Sequence, residues 1–244
     1  MSPPRSTSIS RSRKAAGLLA AAIGLVALAG CEVKQERGDL IAGKKLYVKK
    51  CGACHVLERA GSKGVTGPNL DEAFQQSLRD GFKRDTVRGV VLEQILYPAR
   101  SGVMPAKLVT GQDAEDVAAY VAFAAAKSGK DTGALATAVG SAQKALAKAV
   151  NGTLSIPADP NGQLLYQAKA AEAPAGSLTL QSKNPSAVPH NIAVEGPGLN
   201  KLGPVVQGGD TSTVTVNVKP GNYTFFCSVP GHREGGMQGK LTVK

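Results

Sequence analysis

The spacing of apolar positions changes once along this chain. Across residues 39–127 they recur every three or four residues, as in Thr86–Leu96, which predicts amphipathic helices. A further helix is expected to open at Thr110, where acidic side chains follow at once and suit a helix N-terminus. After Asn151 apolar and polar residues alternate, as in Thr213-Val-Thr-Val-Asn-Val, and Pro-Gly or Gly-Gly pairs separate the runs. The pattern predicts a helical domain followed by an all-β sandwich.

Two small domains suit a chain of 244 residues, and they differ too much in period to be a duplication. Residues 128–151 between them are rich in Ala, Gly, Ser, Thr and Lys, which predicts a linker. A helical stretch over Ala134–Val150 would make that linker a semi-rigid spacer. The expected domains are therefore residues 39–127 and 152–244.

The N-terminal segment predicts export. Residues 1–30 carry a basic stretch and then the apolar run Ala15–Gly30, which is short for a membrane span. The run ends in Leu-Ala-Gly before Cys31, which resembles the lipobox of bacterial lipoproteins and implies that Cys31 is acylated. Residues 31–38 would then be a polar tether. The alternatives are a secretory signal with an incidental cysteine and an uncleaved anchor.

The sequence Cys51-Gly-Ala-Cys54-His55 has the spacing of a c-type haem attachment site. Two thiols at this separation both reach haem vinyl groups and form thioethers, and the adjacent histidine reaches the iron. A dithiol redox motif is the alternative, but it leaves His55 and Met104 without a role and lacks a thioredoxin-like βαβ context.

Residues 39–127 resemble class I cytochrome c, an all-α fold. The matching positions are Gly43, Tyr47, Cys51–His55, 66–70, Val103-Met104-Pro105 and Tyr120. The resemblance implies that the first and last helices cross at Gly43 and Tyr120. It also implies that Met104 is the sixth iron ligand and that the Pro68 carbonyl fixes the His55 imidazole.

Near the C-terminus, Cys227, His232 and Met237 are separated by gaps of four residues, and His190 lies thirty-seven residues before Cys227. A thiolate with two imidazoles forms a trigonal set, and a thioether adds a weak axial bond, which favours type 1 copper. A zinc site or a structural loop around a buried thiol is the alternative.

Residues 152–244 resemble cupredoxins of the plastocyanin and azurin kind, which are Greek-key sandwiches. The shared segments are 184–191, 221–227 and 237–243. The gap between Cys227 and His232 matches rusticyanin-like members. The resemblance implies that Asn191 braces the ligand loops and that His232 lies near the surface as the electron port.

Charge narrows the choice of partners. The formal net charge is +11, and the leader contributes four positive charges and no acidic residue, which leaves +7. Lys44, Lys45, Lys49 and Lys50 form the one dense basic group, beside the haem motif. We expect it to steer an acidic protein or to meet anionic lipid. Nucleic acid is not expected, because an exported protein does not meet it.

Together these features predict a membrane-anchored electron carrier with one covalent haem c and one type 1 copper. It would lie at the outer face of the cytoplasmic membrane or in the periplasm and serve redox proteins of a respiratory or similar chain. Two alternatives stay open. A haem–copper oxidoreductase acting on nitrogen oxides or oxygen would need Met104 to be absent from the iron or to leave it readily. A copper storage or delivery protein would need only the second domain.

Overall fold

The computed structural model describes residues 38–99, 102–140 and 143–244. The predicted signal peptide, Cys31 and nearly all of the tether lie outside these residues. Among the described residues no helix has the length and apolar character needed to cross a membrane.

The first domain is helical, as predicted. Its helices are α1 (Leu40–Lys50), α2 (Leu70–Arg79), α3 (Arg84–Leu96) and α4 (Gly111–Ala124), and β1 (Val56–Leu57) and β2 (Ser62–Lys63) form a small antiparallel pair. Asp39 begins α1 by accepting hydrogen bonds from the backbone N–H groups of Ile41 and Ala42. Thr110 is the N-cap of α4, so that helix opens where the sequence predicts.

Helices α1 and α4 cross at a glycine. A Cβ on Gly43 would overlap the backbone carbonyl of Asp116 and would come within 2.9 Å of the Tyr120 Cβ. The Tyr47 and Tyr120 rings pack at this crossing with centroids 6.2 Å apart. The expected crossing at Gly43 and Tyr120 is confirmed, because any side chain larger than hydrogen would separate the two backbones.

The second domain is a two-sheet β-sandwich. A six-stranded sheet has the order β3-β5-β11-β10-β7-β8, and a three-stranded sheet has the order β4-β6-β9. The strands are β3 (Lys144–Lys148), β4 (Thr153–Ser155), β5 (Ala168–Ala173), β6 (Gly176–Lys183), β7 (Ala193–Gly196), β8 (Leu199–Leu202), β9 (Thr211–Val218), β10 (Gly221–Phe226) and β11 (Gln238–Val243). Buried and exposed positions alternate along β9, as its sequence predicts.

The segment between the domains differs from the prediction. A short helix, α5, covers Gly133–Thr137, and Lys144–Lys148 forms strand β3 parallel to β5. The helix predicted over Ala134–Val150 is therefore wrong for most of its length. Strand pairing outweighs the helical propensity of the alanines, because β3 fills an otherwise open edge of the sheet.

Asp131 fastens the start of this segment to the helical domain. Its carboxylate accepts hydrogen bonds from Tyr120 Oη and Arg59 Nε, both at 2.8 Å, and pairs with Lys44 Nζ at 2.9 Å. Burial raises the pKa of this carboxyl, but the three donors outweigh burial and hold the pKa below its ordinary value of 3.8.

Lys44 is therefore not a surface residue. It is buried, and it also donates to the Leu135 carbonyl at 2.8 Å. The expectation that Lys44 belongs to a basic rim is wrong, because its ammonium group pairs with Asp131 inside the domain and does not face solvent. Lys45 and Lys49 are exposed and Lys50 is half-buried, so the basic surface beside the haem motif is smaller than the sequence suggests.

Candidate metal centres

Three side chains of the β-sandwich converge on one buried point. The ligand atoms of His190, Cys227 and His232 all lie within 4.8 Å of one another. The two Nδ1 atoms are 3.1 Å apart, and His232 Nδ1 is 3.5 Å from Cys227 Sγ. Two imidazoles that face each other through the same ring nitrogen, beside a thiol, form a trigonal donor set that fits copper.

Backbone pairing places these ligands. Cys227 follows the end of β10, and its N–H donates to the Met237 carbonyl at 3.0 Å, directly before β11 begins. Met237 N donates in turn to the His232 carbonyl at 2.9 Å, which closes the loop between the two strands. Met237 is fully buried in the sandwich core. The hairpin therefore brings Cys227, His232 and Met237 to one end of the sandwich.

His190 comes from a different loop, before β7. Its backbone exchanges hydrogen bonds with Val206 at 3.1 and 2.8 Å. Asn184 fixes the conformation of the loop that leads to His190. Its side-chain oxygen accepts hydrogen bonds from Ser186 N and Ser186 Oγ, and its side-chain Nδ2 donates to the Val188 carbonyl at 2.7 Å. The loop is thus fixed by a buried polar network before any metal binds.

Asn191 joins the two ligand loops. Its backbone N–H lies 3.5 Å from Cys227 Sγ, so it can donate to a thiolate. Its side chain pairs with Ser228, the residue after the cysteine, and Nδ2 also donates to the Gly203 carbonyl at 2.9 Å. This residue fixes the separation between the two loops.

Burial favours the neutral form of both imidazoles and the protonated form of the Cys227 thiol. Burial, and then the nearby His232, lower the pKa of His190 to about 3, and burial lowers the pKa of His232 as well. Burial raises the pKa of Cys227, although N–H groups of Asn191 and Val229 partly offset it. Unprotonated imidazoles are ready to bind a metal ion, and binding at sulfur must release the thiol proton.

One expectation about this site is wrong. The resemblance implies that His232 lies near the surface, but its exposed fraction is only 6%. The preceding residue, Gly231, lies against the helical domain: a Cβ there would be 3.2 Å from Val65 Cγ2 and 3.9 Å from Thr66 Oγ1. The loop that carries His232 therefore meets the helical domain of the same chain.

The haem motif lies at the end of α1. Cys51 is its C-cap and is buried, and Cys54 is exposed. Burial, and then Cys54, raise the pKa of Cys51 to about 12. His55 Nδ1 lies 2.9 Å from the Pro68 carbonyl oxygen, so Nδ1–H donates to this carbonyl and the lone pair of Nε2 is left to bind a metal ion. The geometry fits an iron ligand whose orientation is set by the backbone.

Gly67 lies flat against the His55 imidazole. A Cβ at this position would overlap the ring, at 2.7 Å from Nδ1 and 2.9 Å from Nε2. The Gly67 N–H donates to the Cys54 carbonyl at 2.7 Å, which ties the segment back to the motif. A glycine is required here because backbone and ring approach more closely than a side chain allows.

The helical domain carries apolar surface that suits a porphyrin. Its exposed large apolar side chains include Phe82, Val90, Tyr97 and Val103. Met104 is half-buried against the helical core, and α2 has no fully buried residue although Phe74 and Leu78 pack on that core. The domain that carries Cys51 and Cys54 thus keeps apolar side chains at its surface, as expected of a domain that binds a large apolar ligand.

The residues that support the two sites differ in whether the sequence could reveal them. Asn184-Pro-Ser186 is a recognisable turn sequence, so the hydrogen bonds around Asn184 had a local signal. Ser228 and Asp131 had none, because their partners Asn191 and Lys44 are distant along the chain.

Several solved structures are similar to the second half of the chain. The dithionite-reduced auracyanin of the photosynthetic bacterium Roseiflexus castenholzii is 26% identical over 39% of this chain and 99% of its own, with a TM-score of 0.35. Auracyanin B is 23% identical over 38% and 88%, with a TM-score of 0.34. A methionine-to-glutamine mutant of amicyanin in its Cu(I) form is 17% identical over 39% and 85%, with a TM-score of 0.30.

Two families match separate parts of the chain. The cytochrome c family matches residues 40–124, and the copper-binding proteins of the plastocyanin/azurin family match residues 154–244. The chain joins a cytochrome c domain to a cupredoxin domain. It is an electron carrier with one haem c and one type 1 copper, and its partners are redox proteins.

Proposed function

We propose that this fusion is a lipid-anchored carrier in which an electron enters at one centre, crosses to the other and leaves to a partner protein. The observation that carries the proposal is the presence, in one chain, of the His190–Cys227–His232 cluster and of a haem motif whose histidine is already oriented by Pro68. Linkage keeps the two domains at a high effective concentration, so transfer between them does not wait for diffusion.

Each centre has an assigned set of residues in this proposal. Cys51 and Cys54 form the haem thioethers, His55 and Met104 are the axial iron ligands, and Pro68 orients the histidine. The haem supplies one-electron chemistry at iron, and two protein ligands leave it no open position for small molecules.

The copper ligands are His190, Cys227, His232 and Met237, and Asn191 supports them through its bonds to the cysteine loop. A buried, hydrogen-bonded site resists rearrangement when the copper changes oxidation state, which suits rapid electron exchange.

A redox titration of the fully loaded protein, followed optically and by electron paramagnetic resonance, tests the proposal. We expect two separate one-electron steps, one in a low-spin haem spectrum and one in an intense blue band that disappears on reduction. Rapid binding of carbon monoxide by the reduced haem would contradict the carrier and favour an oxidoreductase. A copper site without a blue oxidised form would favour storage or delivery.

Anchoring is tested at Cys31. Expression in a host that processes lipoproteins should place the wild-type protein in the membrane fraction, released only by detergent. The Cys31→Ser variant should be found in the soluble fraction, with both spectra unchanged. Equal membrane retention of the two proteins would contradict acylation as the anchor.

An acidic redox protein of a respiratory or similar chain is the proposed partner. Lys45, Lys49 and Lys50 lie beside the haem motif and supply the positive charge. The rate of electron exchange with such a partner should fall as salt rises, because ions screen the attraction. A rate that does not change with salt concentration would contradict the proposal that these lysines attract the partner.

A further inference from the structure

The loops of the two metal centres meet at one short segment of the helical domain, Val65-Thr66-Gly67. At one end of this segment, Gly67 lies against the ring of His55. At the other end, Val65 lies against Gly231, whose neighbour in sequence is His232: a Cβ on Gly231 would be 3.2 Å from Val65 Cγ2. A path of three consecutive residues, with a packed contact at each end, therefore joins His55 to Gly231 and so to its neighbour His232.

The contact is supported at other points. Gly162 of the sandwich, with φ +80°, approaches the end of α1 so closely that a Cβ would lie 3.0 Å from the Lys49 carbonyl oxygen and 3.2 Å from its Cα. Ala53, which lies inside the haem motif, is buried and groups with the apolar core of the sandwich. The haem motif itself thus contributes to the surface that meets the copper domain.

A crevice of about 190 Å³ lies beside these contacts. On the helical side it is lined by Val48, Gly52 and Ser62, and on the sandwich side by Leu164, Leu165 and Gly235. Lys63, Gln163 and Lys169 also line it, so the two domains face each other over small, apolar and polar residues, and their backbones approach closely at Gly162. Such a surface favours one close packing of the domains.

The chain between the domains supports the same arrangement. Asp131 is held in the helical domain by its three donors, and strand β3 is paired in the sandwich. The described parts of the connection are thus fixed at both ends, which limits the separation of the two domains.

We propose that Val65–Gly67 is the coupling segment through which electrons pass between the haem ligand His55 and the copper ligand His232, by way of the contact with Gly231. In each crossing one metal ion loses the electron that the other gains. Iron moves between ferrous and ferric states and copper between cuprous and cupric, and no proton or covalent bond is exchanged. The inference rests on the proposed function.

In this arrangement an external partner protein binds at a surface other than the contact between the two domains. The face of the copper site that carries His232 is turned toward the chain's own helical domain, so the partner must dock elsewhere. The lysines beside the haem motif remain exposed at Lys45 and Lys49.

Flash reduction of the fully loaded chain tests the coupling segment. After a brief pulse reduces one centre, the wild-type protein should show a first-order exchange phase whose rate depends neither on protein concentration nor on solvent viscosity. Val65→Ala opens the contact with Gly231 and should slow this phase severalfold, with both optical spectra unchanged. Val150→Ala is the matched control, because Val65 is 60% exposed and Val150 is 67% exposed. Val150 precedes β4 in the sandwich. The Val150→Ala variant should therefore exchange electrons at the wild-type rate.

Gly162→Ala tests the contact from a position outside both ligand sets. The added Cβ would lie 3.0 Å from the Lys49 carbonyl oxygen, so the two backbones must shift by a few tenths of an ångström and the exchange phase should slow. Gly198→Ala introduces a similar strain, at φ +67°, but among the described residues no heavy atom lies within 4 Å of its added Cβ. The Gly198 variant should therefore exchange at the wild-type rate.

A structural readout accompanies the kinetics. Pulsed dipolar electron paramagnetic resonance between the two oxidised metal ions should give one narrow distance distribution for the wild type and a broader or longer one for Gly162→Ala. Wild-type rates in both Val65→Ala and Gly162→Ala, or a wild-type rate that falls with viscosity, would overturn the coupling segment while leaving internal transfer in place. Absence of any first-order exchange in the loaded wild type would instead overturn the proposed function.

Discussion

Asn191 and Ser228 are paired across the two loops that carry the copper ligands. The Ser228 backbone N–H donates to Asn191 Oδ1 at 2.8 Å, and Asn191 Nδ2 donates to Ser228 Oγ at 2.9 Å. Asn191 follows His190 and Ser228 follows Cys227, so the pair sets the separation between an imidazole and the thiol. The ligand geometry is thus built by residues that do not themselves bind the metal.

Asn191→Ala should weaken copper binding by about 10- to 100-fold, because loss of such a supporting residue releases the ligand loops. Competition with a copper chelator measures the affinity, and the blue absorption reports the geometry. Asn200→Ala, at an exposed position on β8, is the control. An unchanged affinity in Asn191→Ala would show that the backbone alone positions the ligands.

Gly67→Ala should displace the His55 imidazole, since the added Cβ would overlap the ring. We expect less low-spin haem in the purified protein, measured by its optical spectrum against total haem. Gly89→Ala on α3 is the matched control, because among the described residues nothing lies within 4 Å of its added Cβ. That control should stabilise the helix by about 0.5–1 kcal/mol. A normal haem spectrum in Gly67→Ala would contradict the close approach.

Met104→Leu and Met237→Leu test the two axial assignments and control for each other. Leucine keeps the volume of methionine but removes the sulfur. Met104→Leu should shift the haem toward high spin and leave the blue band intact, and Met237→Leu should alter the copper spectrum alone. Wild-type spectra in both variants would contradict the assignment of Met104 and Met237 as metal ligands.

Asp131→Asn should destabilise the helical domain at neutral pH by about 3 kcal/mol, because Lys44 would be left as a buried charge without its partner. The folded pKa of Asp131 lies below its ordinary value of 3.8, so its contribution is fully present above that value. The contribution disappears as the pH falls through the folded pKa. Denaturant unfolding at neutral pH and below pH 3.8 should therefore show a difference between wild type and variant that shrinks in acid. Asp210→Asn, at an exposed position of the sandwich, is the control and should change the stability little at neutral pH.

Local patterns were enough to predict the two folds and the metal-binding motifs. The residues of α3 repeat with helical spacing and bury Val87, Val91 and Ile95, and β9 alternates as its sequence predicts. Cys51, Cys54 and His55 are close in sequence, so this local motif indicates haem attachment. The linker could not be predicted in the same way, because Lys144–Lys148 becomes a strand only by pairing with β5. Local propensity cannot reveal a pairing partner that lies far along the chain.

The sequence by itself determined which chemistry each half can perform, because ligand type and spacing are local properties of the chain. Only the tertiary structure decided that Lys44 is buried with Asp131, that Asn191 joins the ligand loops, and that the loop of His232 turns toward the helical domain. Those outcomes depend on contacts between distant segments, where charge burial and close backbone approach are set by packing. The placement of Gly231 against Val65 belongs to this second group, and with it the route proposed between the two metals.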